Sequence, residues 1–269
     1  MGHATEFCSA WARGEKSEGV QLELTLRPAA AHRASGAAEN TGAAPIGYGW
    51  NGSFHAGLQP EAAVLVDCAP LPGKGLLVLA SAREDIRELS AEQVLHVARF
   101  TTESARRAAD RFGCEGALGQ RPSTVDRTAW QTRPVTRTTG TCRGVATPRD
   151  AARLRLVTAS EMPAGRALTE ECSLKLPTEG HRIRLTAYYG PSALQETYLD
   201  KGYPGSVQGA VMRSHPCKGA LGPAYFKLEQ LPMPDSEKGA RSGVRLDDRQ
   251  RLLTAFEATS RTRHGCLVD

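Results

Sequence analysis

The sequence lacks any uninterrupted run of the roughly 20 apolar residues that a membrane-spanning helix needs, so no span is expected within this chain. Aromatic residues make up only 6% of its 269 residues, whereas the hydrophobic residues together reach 40%. This balance excludes a disordered chain and predicts a globular protein with cores of small and aliphatic side chains.

The sequence also lacks the common signatures of catalysis. It contains no Gly-x-Ser-x-Gly elbow, His-Glu-x-x-His helix, phosphate loop or dinucleotide fingerprint. We therefore predict no cofactor and no catalytic residue, and an enzyme activity stays uncertain.

Charge gives little indication of a partner. The chain has 34 basic and 29 acidic residues, a net charge of +5. Its densest basic run, from Arg99 to Arg111, also contains Glu103 and Asp110. Such a mixture is typical of the solvated face of an amphipathic helix, whereas a nucleic-acid face would concentrate Lys and Arg on one surface and interleave aromatics for stacking. No nucleic-acid partner is predicted.

Seven cysteines are the informative feature, because two pairs of them recur in the same setting. Cys68 and Cys217 each precede a strand-like apolar run, and 46 and 49 residues later a cysteine follows a Gly that ends a predicted helix. These later cysteines are Cys114 and Cys266. Recurrence of several landmarks in one order is the mark of an internal repeat.

The two predicted helices have matching beginnings. Ser90 with Gln93 forms a capping box, and Asp247 with Gln250 is similar. We therefore predict an α+β fold made by tandem duplication. Each unit would pack a small antiparallel sheet against one C-terminal helix, tied by disulfides. The first unit would cover residues 1–117 and the second residues 140–269, with a linker over 118–139.

The remaining cysteines fit the same repeat. Cys8 and Cys172 each precede an alternating strand-like run, and Cys142 lies about thirty residues before Cys172. Four cysteines permit three pairings, and spacing alone selects none. The repeat favours 68–114, 142–172 and 217–266, with Cys8 unpaired. A partner for Cys8 would fall upstream of Met1.

Disulfides predict an oxidising compartment outside the cytoplasm. The first residues contain neither the basic nor the apolar region of an export signal. We therefore expect an export signal or membrane anchor upstream of Met1, with the protein secreted or held at the cell membrane.

The chain resembles a family of uncharacterised actinobacterial, chiefly streptomycete, extracytoplasmic proteins. The resemblance is carried by the helix ending at Cys114, the Gly-Thr-Cys142 turn, the Cys172 strand leading to Tyr188-Tyr189-Gly190-Pro191, and the closing helix before Cys266. It implies paired cysteine-containing α+β units behind an N-terminal membrane anchor, and it implies no activity.

Three functions stay open, of which the first is the leading hypothesis and the other two are alternatives. The first is a non-enzymatic binding or structural module of the cell envelope with an unknown envelope or extracellular partner. The second is an envelope enzyme, which a deep polar pocket with convergent titratable groups would favour. The third is a metal-binding protein that uses His215, Cys217, His264 and Cys266, since two His and two Cys can hold zinc.

The Gly-rich segment over residues 27–63 is expected to be a long insertion between strands. Its aromatic side chains, Tyr48, Trp50 and Phe54, either contact a ligand or pack back on their own unit. We favour packing.

Overall fold

The structure is a computed structural model that describes residues 6–13, 19–30, 43–56, 60–83, 89–126, 130–176, 181–202, 210–232 and 244–266. Within these ranges the fold is α+β, as predicted. Twelve strands form two six-stranded antiparallel sheets, accompanied by four α-helices.

The first half holds one sheet and one long helix. Its strands lie in the order β1-β2-β6-β5-β4-β3. The bounds are β1 Glu6–Arg13, β2 Gly19–Pro28, β3 Ala44–Pro45, β4 Asn51–His55, β5 Glu61–Asp67 and β6 Gly75–Arg83, followed by helix α1 Ala91–Phe112.

The second half holds the other sheet and three helices. Its strands lie in the order β11-β12-β10-β9-β8-β7. In chain order the elements are β7 Gln131–Pro134, α2 Pro148–Leu154, β8 Thr158–Glu161, β9 Thr169–Lys175, β10 His181–Tyr188, α3 Pro191–Gly202, β11 Val211–Pro216, β12 Pro223–Pro232 and α4 Leu246–His264.

Four strands of each sheet share one arrangement. The neighbours β1-β2-β6-β5 in the first sheet correspond in chain order to β9-β10-β12-β11 in the second, and each set is followed by a long helix. The turns also match, since the N–H of Cys68 donates to Lys74 O and the N–H of Cys217 to Gly222 O, each at 2.8 Å. The predicted landmarks thus lie at corresponding places in two similar halves.

Helix α1 begins as its sequence predicts. The Ser90 hydroxyl accepts from the N–H of Gln93, whose side chain accepts from the N–H of Ser90. Helix α4 begins differently, because it starts at Leu246 after Arg245 and no side chain caps it. Acidic residues Asp247 and Asp248 lie in its first turn, where their negative charges interact favourably with the positive end of the helix dipole.

Three features depart from the sequence expectations. The sheets are larger than predicted, because β3, β4, β7 and β8 extend them, and helices α2 and α3 were not anticipated. Within the expected linker, 118–139, described residues contact both halves. Gln120 bonds to the first half through Tyr48 and Trp50, and Gln131–Pro134 pairs with β8 in the second sheet.

Strands β5 and β6 of the first sheet are buried on both faces. Alternate residues such as Val64 and Val78 pack in one apolar cluster with α1. Their neighbours on the opposite face, including Leu65 and Leu77, belong to a larger cluster with Tyr189, Leu221 and Phe226 of the second half. Adjacent residues of a strand point to opposite faces, so one strand contributes to both cores. The halves therefore share a continuous hydrophobic interior.

Candidate functional site

Six of the seven cysteines form three disulfides, in the pairing that the repeat favours. The Cα–Cα distances are 4.3 Å for Cys68–Cys114, 5.0 Å for Cys142–Cys172 and 4.8 Å for Cys217–Cys266. The first and third join the residue after a hairpin strand to the residue that follows a helix and its left-handed Gly. Disulfides of this kind indicate an oxidising environment outside the cytoplasm.

The second disulfide secures a turn whose backbone is held by a buried carboxylate. Glu161, only 1% exposed, accepts from the N–H groups of Thr139, Gly140 and Cys142 at 2.9, 2.8 and 3.3 Å. Several donors of this kind offset the cost of burying a carboxylate. This turn is therefore fixed by both a covalent and an electrostatic link.

Cys8 is exposed and is the free cysteine among the described residues. It lies in β1 opposite Leu24, as Cys172 lies in β9 opposite Leu185, so the two cysteines have corresponding positions in the strand arrangement. This is the correspondence that the repeat predicts.

The alternative zinc site does not assemble. Both thiols, Cys217 and Cys266, are consumed in a disulfide. The His215 Nε2 atom lies 3.2 Å from Glu257 Oε2. The ring nitrogens of buried His264 lie 3.0 and 2.9 Å from backbone oxygens, and its ring stacks on Tyr189. Among the described residues, no group of three or more His, Cys, Asp and Glu could hold a metal ion.

The aromatic insertion packs on its own half, as favoured. Trp50 and Phe54 are buried, and the indole N–H of Trp50 donates to Gln120 O at 2.7 Å. The Tyr48 hydroxyl lies 2.6 Å from Ser123 Oγ and 2.9 Å from Thr124 Oγ1. These hydroxyl contacts, helped by the Thr124 N–H, lower the pKa of Tyr48 to about 8.

A set of charged residues and one tyrosine lies between α3 and the second sheet. We call it the α3 cluster, and it consists of Arg184, Glu196, Asp200, Tyr225, Lys227 and Glu229. Its positions could not be found from sequence motifs, because its members come from β10, α3 and β12 and meet only after the sheet has formed.

The α3 cluster is internally paired. The Lys227 ammonium lies 2.9 Å from Glu196 and 2.8 Å from Asp200, while Arg184 lies 2.6 Å from Glu229. Burial alone would lower the pKa of Lys227, but hydrogen bonds to Asp200 and Glu196 raise it. Burial is also the main cause that raises the pKa of Tyr225, whose hydroxyl donates to Asp200.

These pairings attach α3 to the sheet. A catalytic acid or base needs a pKa near the working pH and access to substrate. In the α3 cluster the pKa values of Lys227 and Tyr225 are instead raised, so both side chains keep their protons at neutral pH. The cluster therefore has the character of a structural ion-pair network.

A cleft of about 710 Å³ opens where the two halves meet. We call it the junction cleft. Its walls come from the end of β2, the turn before β6, the start of α3 and the turn between β11 and β12. Apart from glycines, its lining side chains are Ala29, Ala30, Lys74, Leu194, Pro216, Cys217, Lys218, Ala220 and Pro223.

The junction cleft is held together by a contact between corresponding turns. Asp67, the last residue of β5, accepts from the Ala220 N–H at 2.6 Å. Gly219 has φ +65°, and a Cβ at this position would collide with the Asp67 carboxylate. Glycine therefore allows both the turn and the close approach. Cys217 brings the third disulfide into the wall.

Sequence reasoning missed the junction cleft, although it identified the two cysteine-containing turns that meet there. The two turns meet because the apolar face of β5 and β6 that points away from α1 packs against the second half. The apolar pattern of these strands does not show which segment covers that face. The strands' nearly continuous apolar character, which is typical of burial on both faces, is the signal that could have indicated it.

Comparisons of the chain with protein-family models, with curated proteins and with solved structures found no match. A search of the helices in the described ranges found none with the length and hydropathy needed to cross a membrane.

Proposed function

We propose that this protein is a non-enzymatic, extracytoplasmic binding module of the cell envelope, secreted or held at the membrane surface. The observation that carries the proposal is the junction cleft, whose wall contains a disulfide and whose charged lining groups, among the described residues, are two lysines. A binding cleft built around oxidised cysteines is suited to the outside of a cell.

The dimensions and lining support binding rather than catalysis. Clefts of roughly 300 to 1,000 Å³ with mainly apolar walls are typical of sites for small ligands. An acid–base enzyme needs a nucleophile or a proton carrier that a neighbouring group activates, whereas Lys74 and Lys218 of the junction cleft form no ion pair with a described residue. The titratable residues of the α3 cluster are occupied by their own ion pairs.

We also infer that the two halves descend from one duplicated unit. The correspondence of β1-β2-β6-β5 with β9-β10-β12-β11, together with equivalent disulfides after β5 and β11, supports this inference. The junction cleft then lies where corresponding turns of the two copies meet. A site between repeats can differ from anything that one unit alone would form.

The test is the redox state of the protein where it is made. The protein isolated without reduction from its native producer is alkylated, digested and mapped by mass spectrometry. We expect it in the extracytoplasmic fraction with the three disulfides formed and one alkylated thiol at Cys8. Recovery in the cytoplasmic fraction with all thiols alkylated would overturn the proposal.

A second measurement removes dependence on the native producer. The chain is expressed in a bacterial host both with a fused export signal and without one. The exported form should unfold at a higher temperature than the reduced cytoplasmic form, by at least several degrees, since each disulfide constrains the unfolded chain. Equal unfolding temperatures would count against an extracytoplasmic role.

A further inference from the structure

The described side chains that line the junction cleft include two lysines and no acid, and the Asp67 carboxylate lies beside Gly219 and Ala220 of the lining. Lys74 and Lys218 are both exposed, and neither ammonium forms an ion pair with any described residue. The other described lining residues are apolar or glycine. A cleft of this composition favours an anion at the lysines and an apolar group against the walls.

The two lysines come from the corresponding turns. Lys74 ends the turn between β5 and β6, and Lys218 opens the turn between β11 and β12. The hydrogen bond from Ala220 to Asp67 holds these turns together. Asp67 is not part of the lining, but its carboxylate keeps its negative charge and lies beside Gly219 and Ala220. Two lysines against this one carboxylate leave an excess of positive charge at the turns.

We propose that the junction cleft binds a small amphiphile with one anionic head group, which lies between Lys74 and Lys218. The apolar body of the ligand lies against Ala29, Ala30 and Leu194. The inference rests on the proposed binding function and names its ligand class. A carboxylate and a phosphate share the required chemistry, so the head group is left to the experiment.

Other ligand classes fit this lining less well. A cation would meet two ammonium groups in the lining, against the single neighbouring carboxylate of Asp67. A polar neutral molecule such as a sugar would need several side-chain hydrogen-bond partners, whereas the described side chains offer those two lysines and otherwise alkyl groups, proline rings and a disulfide. An amphiphilic anion uses both the charge and the apolar walls.

The experiment is isothermal titration calorimetry of the oxidised full chain with four ten-carbon probes below their micelle concentrations. They are decanoate, decyl phosphate, decanol and decyltrimethylammonium, and decanol, which forms no micelles, is kept below its solubility limit. We expect at least one of the two anions to bind about tenfold more tightly than decanol and the cation, and the tighter anion identifies the head group. Equal binding of all four probes, or no binding of either anion, would overturn the inference.

Variants locate the binding. The double variant Lys74→Gln with Lys218→Gln should weaken anion binding about tenfold, since each exposed charge contact contributes roughly a factor of five at most. The same variant should leave decanol binding unchanged. Lys175→Gln removes an exposed lysine outside the junction cleft and is the matched control. An unchanged anion affinity in the double variant would refute the assigned site.

Failure of this inference can be distinguished from failure of the proposed function. Disulfide mapping of the protein from its native producer tests the compartment, whatever the titration shows. A protein that is exported with three disulfides but binds neither anion keeps its proposed location and loses this ligand class. Anion binding that weakens with added salt would agree with partly exposed lysines as the partners.

Discussion

Removal of the Cys217–Cys266 disulfide should lower the stability of the entire chain and not only of its second half. The perturbation is the double variant Cys217→Ala with Cys266→Ala. The bond closes a loop with a sequence separation of 49. In the chain-entropy model, a loop of that size stabilises the fold by about 4 kcal/mol, as an upper estimate.

The size of the change in melting temperature depends on how much of the chain unfolds together. Unfolding entropy is about 2.1 cal/mol/K per residue. If all 269 residues unfold in one transition, a loss of about 4 kcal/mol lowers Tm by about 7 °C. A half of about 130 residues that unfolded alone would lose about 15 °C. The shared interior of the two halves predicts the smaller value.

Differential scanning calorimetry without reductant measures this directly. We expect one peak in both proteins, displaced by about 7 °C or less in the variant. Cys8→Ser is the control, since that thiol is exposed and unbonded, and its Tm should be unchanged. A thermogram split into two peaks, of which only one moves, would refute the shared interior as the source of cooperativity.

Three further predictions concern single side chains. Tyr48→Phe should abolish a rise in absorbance at 295 nm centred near pH 8. Because folding lowers the pKa of Tyr48, the ionised side chain should add to the free energy of unfolding increasingly from about pH 8 to pH 10, and this contribution should be absent below about pH 8. An unchanged absorbance titration in the variant would contradict the hydrogen bonds of Tyr48. Glu161→Gln should lower the free energy of unfolding in urea by about 2 to 3 kcal/mol, because its carboxylate accepts from backbone N–H groups. The control Glu103→Gln, at an exposed position, should leave this free energy almost unchanged, and equal losses in the two variants would contradict the role of the backbone donors. Leu65→Ala should cost about 2 to 5 kcal/mol and lower a single unfolding midpoint; a loss below 1 kcal/mol would contradict its burial between the halves.

Local signals predicted much of the fold. Ser90 with Gln93 marked the start of α1, and glycines marked the ends of α1 and α4, because caps depend on residues near in sequence. The three disulfides were also predictable, since the repeat reduced the possible pairings. The α+β class and the antiparallel pairing followed from these landmarks.

Other elements depended on distant partners. Helix α3 has only a weakly amphipathic sequence, and charged residues hold it on the sheet, as the bond of Asp200 to Lys227 shows. Strand β7 is only four residues long and contains Pro134, so its alternation is too short to distinguish from a loop. For that reason the sequence did not predict that Gln131–Pro134, within the expected linker, pairs with β8.

The candidate site was the least predictable part. No motif indicates Lys74 or Lys218, because each is an ordinary lysine in a turn until the two turns meet. Their meeting requires the outer face of β5 and β6 to be covered by the second half. This packing brings together segments more than a hundred residues apart in sequence, as the hydrogen bond from the Ala220 N–H to Asp67 shows.

The two-sided burial of β5 and β6 limits how this protein can be divided. A fragment cut near residue 130 would leave Ala63, Leu65, Leu77 and Leu79 facing water, in a row along two paired strands. Such a surface promotes self-association. Recombination or engineering that separates the halves would therefore have to replace these apolar side chains with polar ones for the fragment to remain soluble.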